Sequence, residues 1–313
     1  MRHLELETSK RFSVIGLGTR HDHDERRTGR LVARARELGV TVFGTAGTHG
    51  LGRGERILGA ALRDCGGTDD VVVATTILPV LPTAAGVHQL GVASARRLGV
   101  RRLDLCQVHQ PNPLVGDATT MRGMRTLREA GVVEEVGVSN HPLRRWRRAE
   151  AALGTRILAN RVPFSLLAPA PRDGLVPWAR RTGHVVLAAD PLAGGELSGR
   201  PGAGGPRPGG RRAANALFLP ASPRAAGPLP GLLREIATAH GATPAQIALA
   251  WVVHHPGVVA VPGASSVEQV EQNAAAADIR LTDTEHAALT AAAEALRPRV
   301  GFSALPGLVR GRR

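Results

Sequence analysis

The sequence predicts a closed parallel (β/α)8 barrel, and three observations predict it. Eight short runs of β-branched and other apolar residues recur along the chain without in–out alternation, as strands covered on both faces require. An amphipathic helical stretch follows nearly every run, the rhythm of a β-then-α repeat. Glycines such as Gly39 and Gly99 close the helices and lead directly into the next run. An open doubly wound sheet is the alternative, but no Gly-x-Gly-x-x-Gly follows the first strand.

In chain order, residues 12–17 read as the first strand and 29–38 as its helix. Strands at 40–43, 70–74, 103–108, 132–138 and 157–162 precede helices at 53–62, 84–98, 119–130, 143–153 and 174–181. A seventh strand spans 185–189. Helical turns from 232 to 253 then lead to an eighth strand at 258–261 and a helix at 267–277. One barrel domain therefore accounts for residues 1–313. The Pro-, Gly-, Arg- and Ala-rich segment 190–230, after the seventh strand, breaks the rhythm and reads as a lid loop. Residues 297–313 form an irregular C-terminal tail.

The net charge of +14 arises from arginine, with Lys10 the single lysine, and the chain has no tyrosine. Nucleic-acid binding is not expected, because the basic pairs are scattered and no aromatic stacking platform accompanies them. Arg96-Arg97, Arg144-Arg145 and Arg147-Arg148 read as solvated helix faces. No apolar run reaches 18 residues and the start has no signal-peptide layout, so we expect no membrane partner and a cytoplasmic protein. Cys65 and Cys106 provide no disulfide framework.

The chain is organised around Val42-Phe43-Gly44-Thr45-Ala46-Gly47-Thr48-His49-Gly50, followed by Gly52-Arg53-Gly54-Glu55. A strand, a glycine-rich turn and a helix start follow one another there, where α/β proteins set their chemistry. The stretch resembles the aldo-keto reductase signature Phe-Asp-Thr-Ala-x-x-Tyr-Gly, then Gly-x-x-Glu, with Gly44 and His49 in the Asp and Tyr positions. The likeness extends to Leu103-Asp104-Leu105-Cys106-Gln107-Val108-His109, Val136-Gly137-Val138-Ser139-Asn140, Thr243 to Trp251, and Val261-Pro262-Gly263 through Asn273.

By this resemblance His109 is the histidine that orients the carbonyl, and Thr76 stands where the family has lysine. The Asp, Tyr and Lys of the family's tetrad are thus absent, and with no tyrosine and one distant lysine a Tyr–Lys proton relay is excluded. NADP(H) is the cofactor that the resemblance implies, held by Ser139, Asn140, Leu192, Gly263, Ser265 and Asn273. Ser265 and Ser266 fall where many relatives carry a basic residue for the 2′-phosphate. Arg161 replaces the nicotinamide-binding Gln, Ala189 the stacking Tyr, and Asp190 follows it, so Arg161 and Asp190 are expected to meet near the nicotinamide space.

His109, His49, Asp190 and Arg161 are therefore the candidate catalytic residues. Their chemistry suggests a repurposed barrel doing non-redox acid/base work, as a cyclase, dehydratase, isomerase or lyase, on a small carbonyl or hydroxylated metabolite. The alternatives are an NAD(P)H-dependent carbonyl reductase using His49 and His109, or a non-catalytic ligand-binding protein. No metal is expected, since His21-Asp22-His23-Asp24, even with His49 and His109, matches no metal-ligand spacing.

Overall fold

The computed structural model describes residues 1–6, 8–19, 24–78, 83–111, 116–199 and 227–296. Most of the expected lid, at 200–226, lies outside the described residues, as do the tail 297–313, His21 and His23. The chain begins with a small antiparallel pair, β1 (His3–Leu4) on β2 (Phe12–Ser13). Parallel strands then follow in sequence order around one sheet: β3 (Leu17–Gly18), β4 (Val42–Gly44), β5 (Val72–Ile77) and β6 (Leu103–Val108). They continue through β7 (Val133–Ser139), β8 (Ala159–Pro163), β9 (Val185–Ala189) and β10 (Val258–Val261). The ring closes where Ile15 bridges to Ala260 and Gly18 to Gly263, with Gly16 N donating to Ala260 O at 2.8 Å. This is the (β/α)8 barrel.

The first stave differs from the expected single strand at 12–17. Residues 12–13 pair instead with the N-terminal β1, and the chain then bends into the barrel past Gly16. A Cβ on Gly16 would stand 2.7 Å from Val42 O, so only glycine lets this stave run so close to β4.

Helices α1 (Glu25–Glu37), α2 (Arg53–Asp64), α3 (Ala84–Leu98), α4 (Asp117–Glu129), α5 (Leu143–Leu153) and α6 (Leu175–Arg181) connect the strands as the pattern predicts. The turns expected over 232–253 are two helices, α7 (Leu229–Ala239) and α8 (Pro244–Val253). Gly241 at φ +58° and the Thr243–Gln246 capping box separate them. After α9 (Val267–Ala275), a last helix, α10 (Asp283–Ala295), was not anticipated. Alanine dominates it and blurs its apolar face, although its Thr282–Glu285 capping box is readable in the sequence.

Two apolar layers hold this shell together. Phe12, Val42, Val72, Leu105, Leu187 and Val259 fill the barrel interior, while the opposite strand faces pack Phe43, Val73, Cys106, Val138 and Val186 against the helices. Among the described residues no helix is long and apolar enough to cross a membrane. Of the arginine pairs read as solvated, Arg96, Arg144, Arg147 and Arg148 are exposed. Arg97 and Arg145 are not: they turn inward to pair with Glu55 and Asp117.

Candidate active site

Strand alternation sets what the barrel mouth presents. Along β5, Val73 and Ile77 face the helices, as does Thr75, which donates to Glu55 on α2. Ala74 and Thr76 therefore point inward. Thr76 lies in register with Gln107 of β6, and Ser139 of β7 with Arg161 of β8. Above the apolar filling, the mouth thus carries a polar layer of Thr76, Gln107, Ser139 and Arg161.

Gly137 makes room for part of this layer. A Cβ there would come 2.6 Å from Gln107 Cγ, and the unobstructed amide Nε2 donates to Val138 O at 3.2 Å. Gln107 lies inside the fourth-strand motif without a role assigned by the resemblance, and the inward phase set by Leu105 two residues earlier is the signal for it. The Thr45 and Thr76 hydroxyls are shielded from solvent and have no hydrogen-bond partner among the described residues.

The two candidate histidines hang from neighbouring residues of one strand. Gly47 N donates to Thr76 O at 2.9 Å, fixing the loop that carries His49, and His109 N donates to Ile77 O at 2.8 Å. His49 is further held at both backbone ends: its N donates to Ala46 O at 3.0 Å and its O accepts from Gly54 N at 3.1 Å. Both rings are half-buried with Nδ1 shielded from solvent.

Gly44 has no side chain, and little space for one. A Cβ there would stand 3.0 Å from Val261 Cγ1, across the closure of the barrel.

Ser139 and Asn140 extend the polar layer toward β8. Asn140 adopts φ +57°, and its amide Nδ2 donates to His109 O at 3.3 Å and Ser139 Oγ at 3.2 Å. The Ser139 hydroxyl and Asn140 N both donate to Arg161 O, at 3.0 and 2.9 Å. His109, Ser139, Asn140 and Arg161 thus form one hydrogen-bonded edge across three strands.

Asp190 follows directly after β9. It is exposed at φ +51°, and its Oδ1 accepts from Gly194 N at 2.7 Å, so the carboxylate expected to face Arg161 caps its own loop. Leu192 follows, half-buried. Beyond β10, Gly263 and Ser265 are exposed, Asn273 is buried with Nδ2 directed to Gly263 O at 3.5 Å, and Gln269 Oε1 accepts from Ser265 N at 2.8 Å. Among the described residues no group of three or more His, Cys, Asp or Glu is arranged to hold a metal ion.

Comparison with known proteins agrees with this architecture. Residues 14–294 match the model of the Aldo/keto reductase family. The uncharacterized oxidoreductase Rv2298 of Mycobacterium tuberculosis is 48% identical over 308 residues, covering 95% of this chain and 94% of that protein. Methylglyoxal reductase YeaE of Escherichia coli is 30% identical over 284 residues, covering 88% and 89%. Among solved structures, an aldo/keto reductase of Klebsiella pneumoniae in complex with NADP and acetate superposes with a TM-score of 0.71 at 30% identity, covering 89% of this chain and 90% of that one. The thermostable aldo-keto reductase Tm1743, in complex with the inhibitor epalrestat, gives 0.78 at 27% identity, covering 93% and 100%.

Proposed function

The chain belongs to the aldo/keto reductase family, and on that premise we propose that it reduces a small carbonyl compound with NAD(P)H, using His49 as proton donor and His109 to orient the carbonyl. The observation that carries this reading is that the loop bearing His49, through Gly47 N, and His109, through its own N, are anchored to the adjacent carbonyls Thr76 O and Ile77 O at the barrel mouth. The relatives named as oxidoreductases support it over the non-redox chemistry expected from residue types alone.

Exchange of the acid explains the other departures from the family pattern. A phenol titrates near ~10 and needs a neighbouring cation to release its proton at neutral pH; an imidazole, at ~6.5, does not. With His49 as the acid, the tuning lysine and aspartate lose their purpose. Thr76 and Gly44 stand in those positions, and the space at Gly44 is taken by Val261.

The residues present fit a nicotinamide dinucleotide. Gly263 is open, since a Cβ there would meet only Gly18 O at 3.7 Å, and among the described residues no hydrogen bond engages Asn140 Oδ1. Ser139, Asn140 and Leu192 would hold the nicotinamide end, and Gly263, Ser265 and Asn273 the adenosine end. When bound in reduced form, the cofactor supplies a hydride to the carbonyl carbon. As negative charge gathers on the carbonyl oxygen, His109 holds it with a ring N–H. His49, as imidazolium, gives that oxygen a proton and is left neutral, to be protonated again from solvent.

The test is nicotinamide oxidation with methylglyoxal and other small aldehydes and ketones between pH 5 and 9, with NADH and NADPH offered separately. Turnover should fall as pH rises through the imidazole range. His49→Phe should lower kcat by about 10²–10⁴-fold, the usual contribution of a general acid, while cofactor affinity is kept. No hydride transfer from either cofactor to any of these carbonyls would sink the proposal.

A further inference from the structure

Beneath the loop that carries His49 lies an ion pair between the buried Glu55 and the half-buried Arg97, with no part in the chemistry above. Glu55, in the first turn of α2, is fully buried; its Oε1 accepts from Thr75 Oγ1 at 2.6 Å and its Oε2 from Arg97 Nε at 2.5 Å. Arg97 comes from the last turn of α3, and its Nη2 also donates to Ser94 Oγ at 3.0 Å. One carboxylate therefore joins α2, α3 and β5, at the strand residue preceding Thr76.

The loop backbone is moulded on this arginine. A Cβ on Gly47 would stand 3.2 Å from Arg97 Nη2 and 3.7 Å from Glu55 Oε2, and one on Gly52 would overlap Arg97 Cδ and Nε. Gly52, at φ +85°, is the N-cap of α2. Arg97 thus lies under both ends of the turn 47–52, with His49 between its two points of contact. At the base of α2, a Cβ on Gly54 would come 3.0 Å from the His49 Cβ, so the helix start also closes onto that residue.

From this geometry we infer that Arg97 and Glu55 are positioning residues for His49: the guanidinium is the form over which the loop is laid, and the carboxylate locks that form to β5. The inference rests on the reading of His49 as proton donor. It differs from a general stabilising role because the pair contacts the turn on both sides of one residue. Loss of the guanidinium removes the support under Gly47 and Gly52 and leaves Glu55 buried beside Thr75 alone. A displacement of about 1 Å in a proton donor is enough to cost about a hundredfold in rate.

The experiment compares the parent with Arg97→Met and Arg97→Lys by steady-state kinetics, cofactor titration, thermal melting and ¹⁵N-histidine NMR. Arg97→Met should lower kcat about a hundredfold, leaving KM for the carbonyl and Kd for the reduced cofactor within twofold. The ring resonances and titration midpoint of His49 should move while those of His109 stay. Arg97→Lys, which keeps a charge for Glu55 but fills less of the hollow under the loop, should recover about tenfold of the loss and return the His49 signals toward those of the parent. A folded Arg97→Met variant with unchanged His49 resonances and kcat within twofold would overturn the inference. If that variant does not fold, Arg97→Lys decides on the same criteria. A parent without hydride transfer would remove the reading of the preceding section, and the NMR comparison would still decide whether Arg97 positions His49.

Discussion

Single residues of this chain are set by what the barrel leaves them. Position 44 faces Val261, whose Cγ1 would stand 3.0 Å from a Cβ there, so a side chain at this position would require that methyl to give way. Cys106 shows the other limit of burial. It sits among apolar groups on the outer face of β6, and burial pushes its thiol up to about 12. Cys65, half-buried after α2, is also raised, chiefly by burial and against the pull of Arg36. Thiolate is the reactive form, so a thiol reagent at pH 8 should modify Cys65 slowly and Cys106 only after denaturant is added. Prompt labelling of two thiols in the native protein would contradict this. The lack of a disulfide framework is legible from the number and context of the cysteines; which one is sealed in depends on the strand face, which needs the register. Arg97 was misread for a similar reason: an Arg-Arg pair on a helix looks solvated until a carboxylate 42 positions earlier is folded beneath one of them.

Elements were legible wherever the apolar pattern was long. The apolar runs of β5, β6 and β9 and the valines of β7 announce strands because their residues pack on both faces of the sheet. The two-residue strand β1 and the alanine-rich α10 carry too little pattern to be found, and β2 reads as the start of the first barrel strand because its pairing with β1 is not visible in the sequence. Helix α10 also brings His286 against the end of α8, where its ring stacks on His254 with centroids 4.1 Å apart and meets His255 at 5.2 Å. Burial, then the charges of His254, His255 and Arg172, push His286 down to about 4 from an ordinary 6.5, against a smaller pull from Asp283. The unfolded chain therefore takes up this proton near pH 6.5, whereas the folded chain resists it until about pH 4. Between those values the unfolded state holds more protons, so stability falls as pH is lowered through that window and the loss levels off below it. For a ring that water partly reaches, we expect about 1–2 kcal/mol, read as a lower urea midpoint at pH 4.5 than at pH 7. His286→Gln should flatten that difference; an equal pH dependence in the variant would remove His286 as its source.

Across the whole molecule the barrel separates its two ends. The carboxyl ends of the strands carry His49, His109, Ser139 and Arg161, while near the start of the chain Leu4 and Leu6 pack on the interior cluster that holds Phe12, Val42 and Leu105. There the only lysine, Lys10, donates to Thr68 O at 2.7 Å and pairs with Asp104, whose Oδ2 accepts from Val73 N at 2.8 Å. Asp104 is the second residue of β6 and His109 follows its last, which sets them about 16 Å apart along the strand at ~3.3 Å per residue. Burial raises the Asp104 carboxyl even with Lys10 beside it, so the carboxylate depends on that cation to remain charged. Lys10→Met should cost about 2–4 kcal/mol, a little below the loss from breaking a fully buried pair, because the side chains keep 16% and 11% exposure. Since no mouth residue among those described touches this pair, kcat and the pH dependence of turnover should stay within twofold of the parent at temperatures where the variant is folded. Urea denaturation beside steady-state kinetics separates the two effects. A tenfold loss of kcat with the urea midpoint unchanged would mean that the lysine serves the chemistry after all, and the division of the barrel into a stabilising end and a reactive end would fail.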